Sequence, residues 1–168
     1  MKESINADRV PYGLAVHDSE EEEAVLEVIK NHKTIMGNNV KEFERKISDL
    51  FGKELGVMVN SGSSANLLAM ELFDCPKNSE VITPILTFAT TLSPILKKEL
   101  TPVFVDVEIP SYNINSNLIE DAISEKTKAI FIAHSLGNPF NLKDDSRIAK
   151  ESNLWLIEDS CDALGATY

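Results

Sequence analysis

Two cysteines, Cys75 and Cys161, are all the sequence has, and neither lies in a C-x-x-C pair or a Cys/His cluster. That excludes a disulfide framework and gives no zinc-site spacing, and it fits a reducing cytoplasm. No apolar run approaches the roughly 20 residues needed to span a bilayer, and Met1 to Val10 contain no apolar targeting core, so the chain is expected to be neither secreted nor membrane-bound. Basic residues are outnumbered, 16 against 27 acidic, for a net charge of −11. Binding to a polynucleotide rests on Lys and Arg displacing counterions, so nucleic-acid partners are not expected. One small phosphorylated ligand is not excluded, because helix N-termini hold phosphate without basic side chains. Glycine and proline number seven each, too few for a low-complexity or fibrous chain. What remains is a globular α/β composition, in a length of 168 residues that suits a single core.

From Ser19 the run SEEEEAVLEVIKNH places Val25, Leu26 and Ile29 on one face and acids in its first turn, which predicts an amphipathic helix. A turn at Met36, Gly37, Asn38 and Asn39 leads to a second helix carrying Val40, Phe43, Ile47, Leu50 and Phe51, stopped by Gly52. Residues 1–52 thus read as an N-terminal helical segment and 53–168 as the first part of a larger domain. There, short β-branched runs at 57–59, 81–83, 103–107, 129–133 and 154–157 alternate with helical stretches at 64–73, 87–97, 116–124 and 144–151. Continuous apolar strands separated by helical crossovers predict a three-layer α/β sandwich around a mostly parallel sheet. With its last strand so near Tyr168 the sheet would keep an open edge, and the sequence is expected to continue beyond it.

Chemistry gathers at the predicted C-terminal ends of the strands. Asn60, Ser61, Gly62, Ser63, Ser64 and Ala65 follow the first run and open a helix, a pattern that suits a phosphate cup and equally suits a plain N-cap and turn. Glu158 and Asp159 end the last run. An acid on an apolar strand either faces a ligand crevice, where a protonated heterocycle could balance its charge, or caps the next helix. Phe88 could stack on a flat ring, although a phenylalanine after a strand is more often core. His134 and Asn138 lie in one loop after the fourth run, and a structural histidine bonded to backbone is commoner than a catalytic one. Gly37 could border a substrate, with a solvated turn as the commoner case. No metal site is expected.

The segments NSGSSANLLAMELF, EVITPILTFATTLSPIL, TPVFVDVEIPSYNIN, KTKAIFIAHSLGNPFNL and LWLIEDSCDALGATY, in order and without large gaps, resemble the DegT/DnrJ/EryC1/StrS family of fold type I sugar aminotransferases. The resemblance implies the large domain of a pyridoxal 5′-phosphate enzyme, with Gly62, Ser63 and Ser64 on the cofactor phosphate, Phe88 on the ring and Asp159 at the ring nitrogen. It implies that His134 and Asn138 lie in a loop lining the cofactor and sugar pocket. Where many members carry a glutamine near the ring hydroxyl, this sequence has Asp162. That departure, with HSLGNPF and CDALG, is similar to the branch that removes the C3 hydroxyl of CDP-4-keto-6-deoxyglucose in dideoxysugar and lipopolysaccharide biosynthesis. The branch uses pyridoxamine 5′-phosphate and replaces the family's cofactor-linked lysine with histidine, at a position expected beyond Tyr168. An iron–sulfur cluster would also lie there, with a reductase as partner. The resemblance further implies a homodimer, a nucleotide-sugar substrate, and no turnover by these 168 residues alone. Two alternatives stay open: a nucleotide-sugar aminotransferase, and a noncatalytic phosphate- or nucleotide-binding domain, against which stands the lack of G-x-G-x-x-G or a P-loop.

Overall fold

The computed structural model describes residues 15–167. Met1 to Val10, read above for targeting signals, lie outside the described residues, as does Tyr168. The chain divides into two compact units, Met1–Met58 and Val59–Tyr168.

In the first unit, α1 (Ser19–Lys30) opens on a capping box, in which the Asp18 carboxylate accepts from the Glu20 N–H and Glu21 accepts from the Asp18 N–H. Glu20, Glu21 and Glu22 in its first turn complement the helix dipole. Helix α2 (Asn38–Leu50) starts at the N-cap Gly37 and carries the i,i+4 pairs Glu42–Lys46 and Arg45–Asp49. Gly52, at φ +61°, reverses the chain after it. The run at 57–59, predicted as a strand, is not one. Its backbone is engaged by α2 instead: the Met58 N–H donates to the Glu44 carboxylate at 2.8 Å. Gly56 lies so close to the Glu44 backbone that an added Cβ would stand 2.6 Å from its carbonyl oxygen.

The second unit is a four-stranded, all-parallel sheet in the order β2-β1-β3-β4, not the five strands expected. Its elements run α3 (Gly62–Leu72), β1 (Glu80–Pro84), α4 (Ala89–Lys97), β2 (Thr101–Val105), β3 (Thr127–Ala133), α5 (Leu142–Glu151) and β4 (Trp155–Asp159). The helix expected at 116–124 is two short 3-10 turns, Ser116–Leu118 and Glu120–Ala122. Asn115 accounts for the start, because its side chain accepts from the Asn117 N–H and competes with an α-helical first turn.

Side-chain alternation sorts the strands into two cores. Val81, Ala129 and Phe131 face α3 and α4 and pack with Met70, Phe73 and Ile95. Ile82, Ile130 and Ile132 face the other way and pack with Ile114, Ile119, Ile148 and Ala149. The central strands β1 and β3 are therefore covered on both faces, which is why they read as unbroken apolar runs. All four strands end at the same edge, where Pro84 pairs with Val105 and Ala133 with Asp159.

Candidate functional site

At that edge the alternation decides where each acid of β4 points. Trp155 meets the ring of Phe73 edge-on and Ile157 packs in the α3/α4 core, so Asp159, two residues further, faces α3 and α4 as well. Glu158 faces the opposite side. The half-buried Asp159 carboxylate is held by three donors. Oδ2 accepts from Asn66 Nδ2 on α3 at 2.7 Å and from Thr91 Oγ1 on α4 at 2.9 Å, and Oδ1 accepts from the Cys161 N–H at 3.1 Å. The cationic partner expected for this acid is not a side chain of that cluster; its partners are all neutral.

Helix α3 brings its N-terminus to the same place. Ser61 is the N-cap and its hydroxyl accepts from the Ser64 N–H, while Ser64 Oγ donates to Asn60 Oδ1 at 2.7 Å. The first turn leaves N–H groups of Gly62 and Ser63 without intrahelical acceptors. Gly62 sits against Cys161, such that a Cβ added there would be 2.8 Å from the thiol sulfur. A side chain there would have to displace the Cys161 thiol, so the glycine lets the helix end and the loop after Asp159 lie close together. Burial pushes the Cys161 thiol above its ordinary pKa, and the negative charges of Asp159 and Asp162 add to the effect.

Phe88 is the N-cap of α4, three residues before Thr91, and is 68% exposed. Asp162 is exposed, and its carbonyl packs on Gly137, whose φ of +82° and missing Cβ make room for it. The structure thus brings Gly62 and the Asp159 carboxylate together at Cys161, which touches both, with Asp162 next in the chain and Phe88 at the start of the helix that supplies Thr91.

His134 and Asn138 are committed differently. His134 is buried, stacks on Phe140 at 4.4 Å, and accepts the Phe140 N–H at Nδ1, which leaves its proton on Nε2 toward Glu158 at 3.3 Å. Its backbone N–H donates to the Asp159 carbonyl. This is the structural role weighed for it in the sequence. Asn138 donates to the Ser111 carbonyl and lines a polar cavity of about 310 Å³ with Ser111, Asn113, Ser116 and Asn117. Gly37 belongs to the first unit, where it borders a cavity lined by Val28 and residues 32–40. Its φ is negative, at −156°, outside the left-handed region that favours glycine.

Asn66 and Thr91 were not singled out from the sequence. Their signal is faint but present, because each is a polar residue on a helix face that otherwise buries apolar side chains.

The family model for the DegT/DnrJ/EryC1/StrS aminotransferases matches residues 16–168. The chain belongs to this family. Among family relatives, the lipopolysaccharide biosynthesis protein RfbH of Salmonella typhimurium is 52% identical over 134 residues, which are 75% of this chain and 31% of that protein. The dTDP-4-dehydro-2,6-dideoxy-D-glucose 3-dehydratase of Saccharopolyspora spinosa is 43% identical over 162 residues, 92% of this chain and 35% of the enzyme. A solved structure of the E. coli GDP-4-keto-6-deoxy-D-mannose-3-dehydratase with bound hydrated PLP superposes with a TM-score of 0.89 at 33% identity, covering 95% of this chain and 43% of that one. This family member therefore has the three-layer α/β fold of its pyridoxal-phosphate relatives and spans about a third of the length of the curated ones.

Proposed function

We propose that this chain forms the front part of a pyridoxal- or pyridoxamine-phosphate site in an enzyme that acts on a nucleotide-linked 4-keto-6-deoxy sugar, with C3 dehydration as its reaction. The observation that carries the reading is that Cys161 joins the two places: its N–H donates to the Asp159 carboxylate and its thiol packs against Gly62 at the N-terminus of α3. The groups present fit such a cofactor: a helix end with unspent N–H donors, a glycine that keeps the helix close to the loop, and an acid whose protein partners are all neutral. Gly62, Ser63 and Ser64 would hold the phosphate, Phe88 would cover a face of the ring, Asp159 would take the ring nitrogen, and Asp162 would lie by the ring hydroxyl. When bound, the cofactor supplies an electron sink for the charge that develops on the substrate carbon. This chain's own part is to anchor, orient and hold a proton at the ring nitrogen through Asp159.

Dehydration is preferred to transamination because Asp162 stands where many family aminotransferases carry glutamine, and because the Saccharopolyspora spinosa dehydratase is 43% identical to this chain. Transamination of the same sugar class is the second reading, in line with the family's description. On the first reading the working protein is a cytoplasmic homodimer served by a reductase; the two free cysteines support a reducing compartment. Residues 1–52 would form its N-terminal helical segment and 53–168 the start of the cofactor domain.

Calorimetric titration with pyridoxamine 5′-phosphate tests the cofactor site. Binding at one site per chain is expected, weakened roughly a hundredfold or more by Asp159→Ala, on the scale of a lost charged hydrogen bond plus its ion pair. Binding of CDP without any binding of pyridoxamine phosphate would overturn the reading in favour of a nucleotide-binding domain.

A further inference from the structure

We propose that Asn66 and Thr91 are positioning residues that set which oxygen of Asp159 meets the ring nitrogen, an inference that rests on the cofactor reading above. An ionised carboxylate offers about two acceptor positions on each oxygen. On Oδ2 both are filled, by Asn66 Nδ2 at 2.7 Å and Thr91 Oγ1 at 2.9 Å. On Oδ1 one is filled, by the Cys161 N–H at 3.1 Å. The single remaining position is therefore on Oδ1, and a ring nitrogen that donates to Asp159 does so there.

The two side chains are suited to this task by burial. Thr91 is wholly inaccessible and Asn66 nearly so, which locks their rotamers, and the Asn66 amide also donates to the Thr90 carbonyl, tying α3 to the backbone of α4. Asp159 sits at the last position of an edge strand, where its own backbone would leave the carboxylate free to turn. Donors from two helices remove that freedom before any ligand arrives. Because both donors are uncharged, they orient the carboxylate without neutralising it, and the charge stays available to a cationic partner. An arginine or lysine in either place would have met the same geometric need and satisfied the charge itself.

The test uses the full chain and pyridoxamine 5′-phosphate labelled with ¹⁵N at the pyridine nitrogen, a probe that does not condense with surface lysines. Two quantities are read, the dissociation constant and the ¹⁵N shift that reports ring protonation. Thr91→Val and Asn66→Leu each remove one donor at nearly constant volume, and each is expected to weaken binding roughly tenfold and to move the shift toward the unprotonated ring. Thr91→Ser, which keeps the hydroxyl, is expected to restore both. If Thr91→Val and Asn66→Leu match the unmodified chain while Asp159→Ala loses binding, the positioning role is overturned and the cofactor reading stands. If Thr91→Ser behaves like Thr91→Val, packing and not the hydroxyl is responsible, and the role is again overturned. If Asp159→Ala changes neither quantity, the cofactor reading fails and this inference fails with it.

Discussion

Asp145 carries the largest electrostatic penalty described in the second unit. It lies in the first turn of α5, fully inaccessible to solvent, and no hydrogen bond of good geometry reaches either carboxylate oxygen. Burial pushes its pKa from 3.8 to about 6; the nearby Ser116 hydroxyl opposes the shift and the charges of Asp144 and Glu108 add to it. The folded state therefore binds this proton more tightly than the unfolded chain does. The resulting stability is fully present below about pH 4 and is lost as pH rises through about 6, leaving a penalty of about 3 kcal/mol at neutral pH. Asp145→Asn keeps the shape and cannot ionise. It is expected to raise the stability measured by urea unfolding at pH 7.5 by roughly 1–3 kcal/mol and to flatten the pH dependence between about 4 and 7. Equal stabilities of the two proteins across that range would show that Asp145 finds a partner when charged.

Helix α3 is held at its far end by another element. The Lys98 ammonium, at the C-cap of α4, donates to the carbonyls of Met70 at 2.7 Å, Glu71 at 3.1 Å and Phe73 at 2.5 Å. The last turn of a helix leaves carbonyls such as these short of partners, although the Met70 carbonyl also accepts the Phe73 N–H, and a cation there complements the dipole. Since α3 presents Gly62 at one end and Asn66 one turn later, its axial position fixes the distance between the helix end and Asp159. Lys98→Met retains most of the aliphatic stem and removes the donors. The expected cost is about 2–3 kcal/mol, read as a lowered Tm, with weaker pyridoxamine phosphate binding as a second consequence. An unchanged Tm would mean that water caps the helix equally well.

At the scale of the whole molecule, every residue proposed for the cofactor belongs to the unit Val59–Tyr168, and these residues come from the first turn of α3, the N-cap of α4, the end of β4 and the loop after it. A ligand that bridges those elements stabilises the unit that contains them by linkage, about 2.7 kcal/mol at a hundredfold excess over its dissociation constant. Hydrogen–deuterium exchange with pyridoxamine phosphate is expected to slow at the amides of residues 62–65 and at Cys161. The unit Met1–Met58 is expected to exchange as before, and protection spread over α1 and α2 instead would point to a different binding place. The chain spans 31% and 35% of the length of two curated relatives.

Much of this was legible in the sequence because it is set by local pattern. The period of the apolar residues predicts which segments are helix and which are strand, Ser61 and Gly62 mark the start of α3, and the parity of β4 puts Glu158 and Asp159 on opposite faces whatever else surrounds them. The parallel sheet, with its strand ends at one edge, follows from that alternation. What only the tertiary structure decided is who meets whom. Asn66 and Thr91 stand 93 and 68 residues before Asp159, and no local rule links them to it; the packing of two helices on one face does. The run at 57–59 has a strand's composition, but its backbone is engaged by Glu44 and has no strand partner. His134 could be read as a catalytic base until Phe140 and Glu158 close around both ring nitrogens. A residue's face is fixed by its own neighbours in the chain, whereas its partner depends on register and burial across elements, and those exist only once the sheet and its two helical layers have formed.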